Sequence, residues 1–180
     1  MDLNQWYEKG ITKEAYMSDL DKHRDDFHTV YNQFNVPEED SDTLKEKSGI
    51  RVIALAEVWC GHCMMNVPIL LKILETANIP VSFLPRDDHL ELMDQYTINN
   101  KRFIPIFIFI DDSGNEIGKW GPMAPEVEKL SEEMKASVPA KDHPDYAESF
   151  KQYAEKISKL FTQDDTYWVP TYESIMKAMP

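Results

Sequence analysis

The order of apolar runs along the chain predicts an α/β fold, a central mixed β-sheet flanked by helices, with helical extensions at both ends. Three observations predict it. Two runs rich in Val, Ile, Leu and Ala bracket one helical stripe, as in a parallel strand–helix–strand unit. Two further apolar runs meet across a turn-rich loop, as in a hairpin. Outside these lie segments whose apolar residues recur only at helical spacing.

From Thr12, a residue type suited to an N-cap, Tyr16, Leu20, Phe27, Tyr31 and Phe34 recur at helical spacing, with Met17 and Val30 widening the stripe. This predicts one long amphipathic helix. Pro37-Glu38-Glu39-Asp40-Ser41-Asp42 breaks the pattern and reads as an acidic linker, with a short helix following before Gly49. Ile50 to Val58 has the nearly continuous apolar run of a strand buried on both faces. Val67, Leu70, Leu71 and Leu74 mark a helix that gives way at Asn78 to a second strand, Ile79 to Leu84, and the crossover should be right-handed. Asp87 to Tyr96 reads as another helix opening on an Asp cap. Ile104 to Ile110 is the most apolar strand, and Asp111 to Asn115 turns it into Glu116 to Trp120. Behind Pro125, Val127, Leu130 and Met134 predict a helix covering the sheet. Beyond Pro139, Tyr146, Phe150, Tyr153, Ile157, Leu160 and Phe161 predict one more, its aromatic stripe either core or a dimer contact, and a short Trp- and Met-bearing segment ends the chain. The expected division is an N-terminal helical extension over 1–48, the α/β domain over 49–138 and a C-terminal helical extension over 139–180.

A hydrophobic content of 42% in 180 residues is enough for a core without any staple. The formal charge of −13 would repel phosphate backbones and anionic lipid heads, so neither nucleic-acid nor membrane partners are expected. No stretch approaches the length of a transmembrane helix, Met1 to Gly10 is polar and acidic where a signal peptide is basic and then apolar, and Lys177-Ala178-Met179-Pro180 carries no retrieval signal. A cytoplasmic location is the expectation. The two cysteines lie three apart, too close to staple a long loop, so the pair is expected to be catalytic or metal-binding.

The segment Trp59-Cys60-Gly61-His62-Cys63 follows the first strand and precedes a helix. There, free backbone N–H groups and the helix dipole favour a thiolate, the nucleophile of disulfide exchange. Cys60 is thus the expected exposed nucleophile and Cys63, one turn further on, the buried thiol that resolves the mixed disulfide. His62, protonated or donating, would add to thiolate stabilisation. Gly61 would permit a tight turn into the helix, and Trp59 would offer a flat apolar surface to substrate. A structural zinc needs four ligands, and no second cysteine pair exists to supply them, so no metal and no cofactor are expected. His23, His28, His89 and His143 are scattered without ligand spacing.

The Trp-Cys-Gly-His-Cys motif behind a buried strand resembles the thioredoxin family, in the version typical of protein disulfide isomerases. Pro68 matches the family's kink-forming helix proline, Pro105 after Ile104 its cis-proline at the head of an apolar strand, and Gly121 its glycine near the active site. The likeness runs over roughly Ile50 to Ser137. A long helical N-terminal extension and Arg86-Asp87 after the second strand further resemble a branch of bacterial thioredoxin-like proteins. The resemblance implies the thioredoxin fold, a redox-active CXXC centre serving cell redox homeostasis, and peptide pairing by the Ile104 backbone next to Pro105. The family's buried acid beneath the second cysteine is replaced here by Ala54, which leaves Glu57, nearer the cysteines on the same strand, as the candidate proton relay. The implied substrates are protein or low-molecular-weight disulfides, with an electron-donor reductase as the second partner. Two alternatives stay open: a non-catalytic binding or adaptor module, and an iron–sulfur cluster shared between two chains.

Overall fold

The computed structural model describes residues 2–180; Met1, the first residue of the expected N-terminal extension, lies outside them. Its centre is a four-stranded sheet in the order β2-β1-β3-β4. β1 (Arg51–Ala56) and β2 (Val81–Pro85) run parallel, with Val52 opposite Val81 and Ala54 opposite Phe83. β3 (Ile106–Ile110) lies antiparallel on the other side of β1 and places Phe107 opposite Ala54. β4 (Glu116–Trp120) completes the hairpin, antiparallel to β3. Every residue of β3 is buried, as expected for an apolar strand covered on both faces. In the turn between β3 and β4 the Asp111 carboxylate accepts the Asn115 N–H at 2.8 Å, and Gly114 takes a φ of +80°.

α5 (Cys63–Ala77) joins β1 to β2 and is apolar nearly all round, as a helix between a sheet and an outer helical layer must be. Pro68 lies inside it, and Asn78, at φ 53°, ends it in the left-handed region. Among the described residues, the chain before β1 holds four helices, α1 (Leu3–Lys9), α2 (Lys13–Ser18), α3 (Arg24–Gln33) and α4 (Glu38–Glu46). Between α1 and α2, Ile11 and Phe83 exchange backbone hydrogen bonds of 2.8 and 2.9 Å, one extra rung that covers the β2 edge.

Three expectations are corrected here. The single helix read from Thr12 to Phe34 is α2 and α3. Thr12 does cap α2, accepting the Ala15 N–H at 3.2 Å, but Arg24 turns back to donate to the Ser18 and Leu20 carbonyls at 3.1 and 2.8 Å. Those carbonyls, left over at the end of α2, are satisfied without a continuous helix. The acidic segment after Pro37 is no linker: Glu38, Glu39 and Asp40 form the first turn of α4, where negative charge meets the positive end of the helix dipole. The helix expected over Asp87 to Tyr96 shrinks to α6 (Leu90–Met93) and a 3₁₀ turn at Asp94–Tyr96, because Asp87 spends its carboxylate on Arg86 and its N–H on Glu57 instead of capping.

α7 (Pro125–Lys135), α8 (Tyr146–Gln163) and α9 (Trp168–Ala178) follow the sheet. The aromatic stripe of α8 divides: Phe161 is wholly buried with Ile157, while Phe150 stays exposed. The terminal Trp- and Met-bearing segment is α9, which buries Trp168, Tyr172 and Ile175; its Ser174 hydroxyl accepts from Trp120 at 2.8 Å. Residues from Leu3 to Met179 share one hydrophobic core, so the helices at both ends pack as part of the same body as the sheet. Among the described residues no helix is long and apolar enough to cross a membrane.

Candidate functional site

β1 stops at Ala56, and the chain makes two tight turns before α5 begins at Cys63. The Cys60 N–H donates to the Glu57 carbonyl at 3.2 Å and the Cys63 N–H to the Cys60 carbonyl at 3.0 Å, which fixes the two thiols one turn apart at the mouth of the helix. Both cysteines are reduced. Cys63 is fully covered, and Cys60, against the expectation of an exposed nucleophile, is only 7% exposed. The Ile104 carbonyl, 3.8 Å from its sulfur, and the His62 side chain close over it.

The electrostatics divide the pair. A hydrogen bond from the Cys63 thiol, outweighing the burial that opposes it, and a second from His62 hold the Cys60 thiol well below its ordinary pKa. Burial, and then the neighbouring Cys60 sulfur, push the Cys63 thiol well above it. One sulfur is therefore poised as thiolate and the other as its hydrogen-bond donor.

The remaining expected residues gather around this pair. Glu57 is 8% exposed and its carboxylate accepts the Asp87 N–H at 2.9 Å. Burial raises its pKa, with the Asp87 N–H pulling the other way. Trp59, 47% exposed, presents its ring to solvent on one side and carries the Arg86 guanidinium 4.8 Å from its centroid on the other. Arg86 also pairs with Asp87 at 2.8 Å, so this ion pair borders the redox loop. The Ile104–Pro105 bond is cis, as the resemblance implied. Gly121, at φ +133°, backs onto it, and a Cβ there would lie 2.2 Å from the Pro105 carbonyl oxygen. Gly61 differs from expectation: its φ is not left-handed and a Cβ would meet only Ser158 of α8 at 3.5 Å, so the turn into α5 does not demand glycine. Trp120 packs, stacking on Phe107 with centroids 5.1 Å apart. Among the described residues no cluster of three or more His, Cys, Asp or Glu side chains is placed to hold a metal ion.

Sequence reasoning missed Tyr16 at this site. Tyr16, assigned only to a helical stripe, is 2% exposed, stacks on Phe83 at 4.3 Å and donates its hydroxyl to the Glu57 carbonyl at 3.3 Å. Burial raises its pKa far, and the two cysteines and Glu57 add to the rise, so the hydroxyl stays protonated. Ala54 sits between Phe83 and Phe107 in the sheet, fully buried, where no carboxyl group reaches the cysteines. α8 is the helix expected from Tyr146 to Phe161, but its place beside the redox loop, where Phe161 packs on the His62 ring at 5.4 Å, was not foreseen. A charged stripe on α8 was the one available signal, and it reads equally well as a solvated face.

The chain is similar over 91% of its length to a protein of unknown function from Pseudomonas aeruginosa, 96% of which is covered, with a TM-score of 0.65 and 15% identity. It is similar over 99% of its length, and 99% of the other, to an HIV epitope-scaffold protein, with a TM-score of 0.64 and 14% identity. Both likenesses are of fold alone. The oxidized form of mitochondrial thioredoxin 3 from Saccharomyces cerevisiae matches 51% of the chain and 86% of its own length, at a TM-score of 0.35 and 22% identity. No curated protein matches. The family model described as Thioredoxin matches residues 10–135, from the Ile11 rung through all four strands to the end of α7, and the chain accordingly belongs to the thioredoxin family.

Proposed function

We propose that the protein is a thiol–disulfide oxidoreductase that passes two electrons from the Cys60–Cys63 dithiol to a disulfide. The observation that carries this reading is the division of the pair into a stabilised thiolate at Cys60 and a buried, proton-bearing thiol at Cys63. The Cys60 thiolate attacks one sulfur of the substrate; the substrate S–S bond breaks, one thiol leaves with a proton from solvent, and a mixed disulfide remains. Cys63 then gives up its proton and attacks the Cys60 sulfur. The mixed disulfide breaks, the second thiol leaves, and the Cys60–Cys63 disulfide is left for an electron-donor reductase to restore.

In this reading residues 49–138 carry the chemistry and the helical segments 1–48 and 139–180 shape access to it. His62 tunes the potential through its bond to Cys60, and Glu57 receives the Cys63 proton. Trp59, Gly61, Ile104, Pro105 and Gly121 form the surface a substrate meets. In a reducing cytosol the net direction is reduction of protein or small-molecule disulfides, at a potential less reducing than that of ordinary thioredoxin because of the histidine in the motif. The family branch it resembles is that of bacterial thioredoxin-like proteins with helical N-terminal extensions.

Insulin reduction with mutant trapping tests the reading. Reduced wild type should cleave insulin disulfides, Cys63→Ser should accumulate mixed disulfides, and Cys60→Ser should accumulate none. If wild type left insulin and small disulfides intact, a non-catalytic binding module would be the better description.

A further inference from the structure

We propose that the cleft between the redox loop and α8 seats the anionic end of a small disulfide substrate, which makes the enzyme selective for disulfides that carry carboxylates. The inference rests on the oxidoreductase reading above and assigns its substrate class. A cleft of about 420 Å³ opens beside Trp59 and Gly61, with α8 as one wall and the segment between α2 and α3 as the other. That volume suits a small molecule.

Charge selects the occupant. Lys22 stands on one rim, with Lys151 and Lys159 on the other. None of the three has a carboxylate within 4.0 Å among the described residues. The lining also holds two acids, Asp26 and Glu155, so three lysines face two carboxylates and the cleft keeps a net positive charge. In a chain of net charge −13 a three-lysine rim runs against the average of the surface. It supplies a local attraction for an anion that the molecule as a whole would repel.

Two further features point to a ligand. Ser158, in the wall of the cleft, is nine-tenths buried and its hydroxyl has no hydrogen-bond partner, a state buried polar groups rarely keep. Gly61 faces it, and a Cβ there would come into van der Waals contact with Ser158 at 3.5 Å, so the glycine leaves that part of the cleft unfilled. α8 itself lies outside the residues matched by the family model, so this wall is not part of the domain that the model describes. The chemistry at sulfur is unchanged: one pre-reduced dithiol converts one disulfide to two thiols and becomes a disulfide.

Single-turnover reduction by pre-reduced protein tests the inference with three disulfides of matched size: dithiodipropionate (anionic), hydroxyethyl disulfide (neutral) and cystamine (cationic). Each rate is divided by that of free dithiothreitol to remove intrinsic reactivity. Wild type should prefer dithiodipropionate over hydroxyethyl disulfide by about tenfold, since each exposed ion pair contributes a factor of about five at most, and should disfavour cystamine. The preference should shrink as salt rises. In the triple variant Lys22→Gln, Lys151→Gln, Lys159→Gln the anionic-to-neutral ratio should fall to about one. A matched triple at Lys129, Lys135 and Lys141, exposed elsewhere, should keep the wild-type ratio. A wild-type ratio near one, or an equal fall in both triples, overturns the inference while leaving the oxidoreductase reading intact. Failure of wild type to reduce even the neutral disulfide would instead overturn that reading.

Discussion

Replacing Glu57 by Gln separates the two chemical steps. The amide oxygen can still accept the Asp87 N–H that Glu57 accepts at 2.9 Å, and the side chain keeps its size, so the turn that positions Cys60 should survive. What disappears is the titrating group. Cys63 is the sulfur that must lose a proton before it attacks, and burial holds its pKa well above normal. Glu57, raised by its own burial, is the carboxyl one residue past the end of β1, in the turn that leads to Cys60. General-base assistance is worth about 10²–10⁴-fold where fully developed, so loss through a partly screened relay should slow resolution at least about tenfold. The attack of Cys60 on substrate needs no such proton transfer and should change little. Stopped-flow measurement of mixed-disulfide formation and decay would read the two rates separately, and equal decay in wild type and Glu57→Gln would refute the relay. Stability gives a second readout. A carboxyl whose folded pKa is raised binds its proton more tightly in the native state, so its contribution is fully present below the unfolded pKa and lost as pH rises through the folded value. Wild type should therefore lose stability across that window relative to Glu57→Gln, whose curve should lack the decline.

Three other substitutions follow from the geometry. His62 sits at φ −67° and its N–H makes no backbone hydrogen bond, so His62→Pro fits the backbone while removing a donor to Cys60; the potential, measured against a thiol redox buffer, should fall by about 30 mV, roughly 1.4 kcal/mol for two electrons. Gly121→Ala would place a Cβ against the Pro105 carbonyl at a φ of +133° and should destabilise by about 3 kcal/mol or more in urea unfolding, whereas Gly61→Ala, with only a 3.5 Å contact, should shift stability by less than about 0.5 kcal/mol. Tyr16→Phe keeps the stack on Phe83 and leaves the Glu57 carbonyl its bond from Cys60, so it should lose only about 1 kcal/mol; a loss several times larger in the same assay would mean that the hydroxyl holds more than the turn.

The parts of the fold legible in the sequence are those whose signal is local and repeated. Buried strands such as Ile106–Ile110 write their environment into consecutive residues, and α5 writes its length between the cysteines and Asn78. The parts that misled are those where one local pattern serves two structures. Acidic residues suit a solvated linker and the first turn of α4 equally, and the decision comes from Leu44, buried only once the helix is docked. The stripe from Tyr16 to Phe34 keeps helical phase through the break at Asp19–His23, so periodicity alone cannot reveal it. The interruption depends on where one arginine points its guanidinium. Within the site, the cysteine motif could be read from five consecutive residues, while Tyr16 and Ser158 could not, because each arrives from a distant segment: Tyr16 is 41 residues from Glu57.

That distance bears on the substitution at Ala54. A carboxyl group on the central strand would have to be buried between Phe83 and Phe107, and an ion there is held only at considerable cost unless bonded. Here the N-terminal segment is hydrogen-bonded to the β2 edge through Ile11 and Phe83, and α2 lays the Tyr16 ring on Phe83, the cross-strand neighbour of Ala54. The ring fills apolar space next to a small residue, while its hydroxyl reaches the Glu57 carbonyl at the strand's end. Ala54 and Tyr16 thus share one neighbour, Phe83, and the helical segment brings a neutral, protonated hydroxyl to the turn that carries the cysteines. In the proposed relay the ionisable carboxyl is that of Glu57, one residue past the strand, where the Asp87 N–H bonds it. On this account the N-terminal helices belong to the redox site as much as the strand they cover.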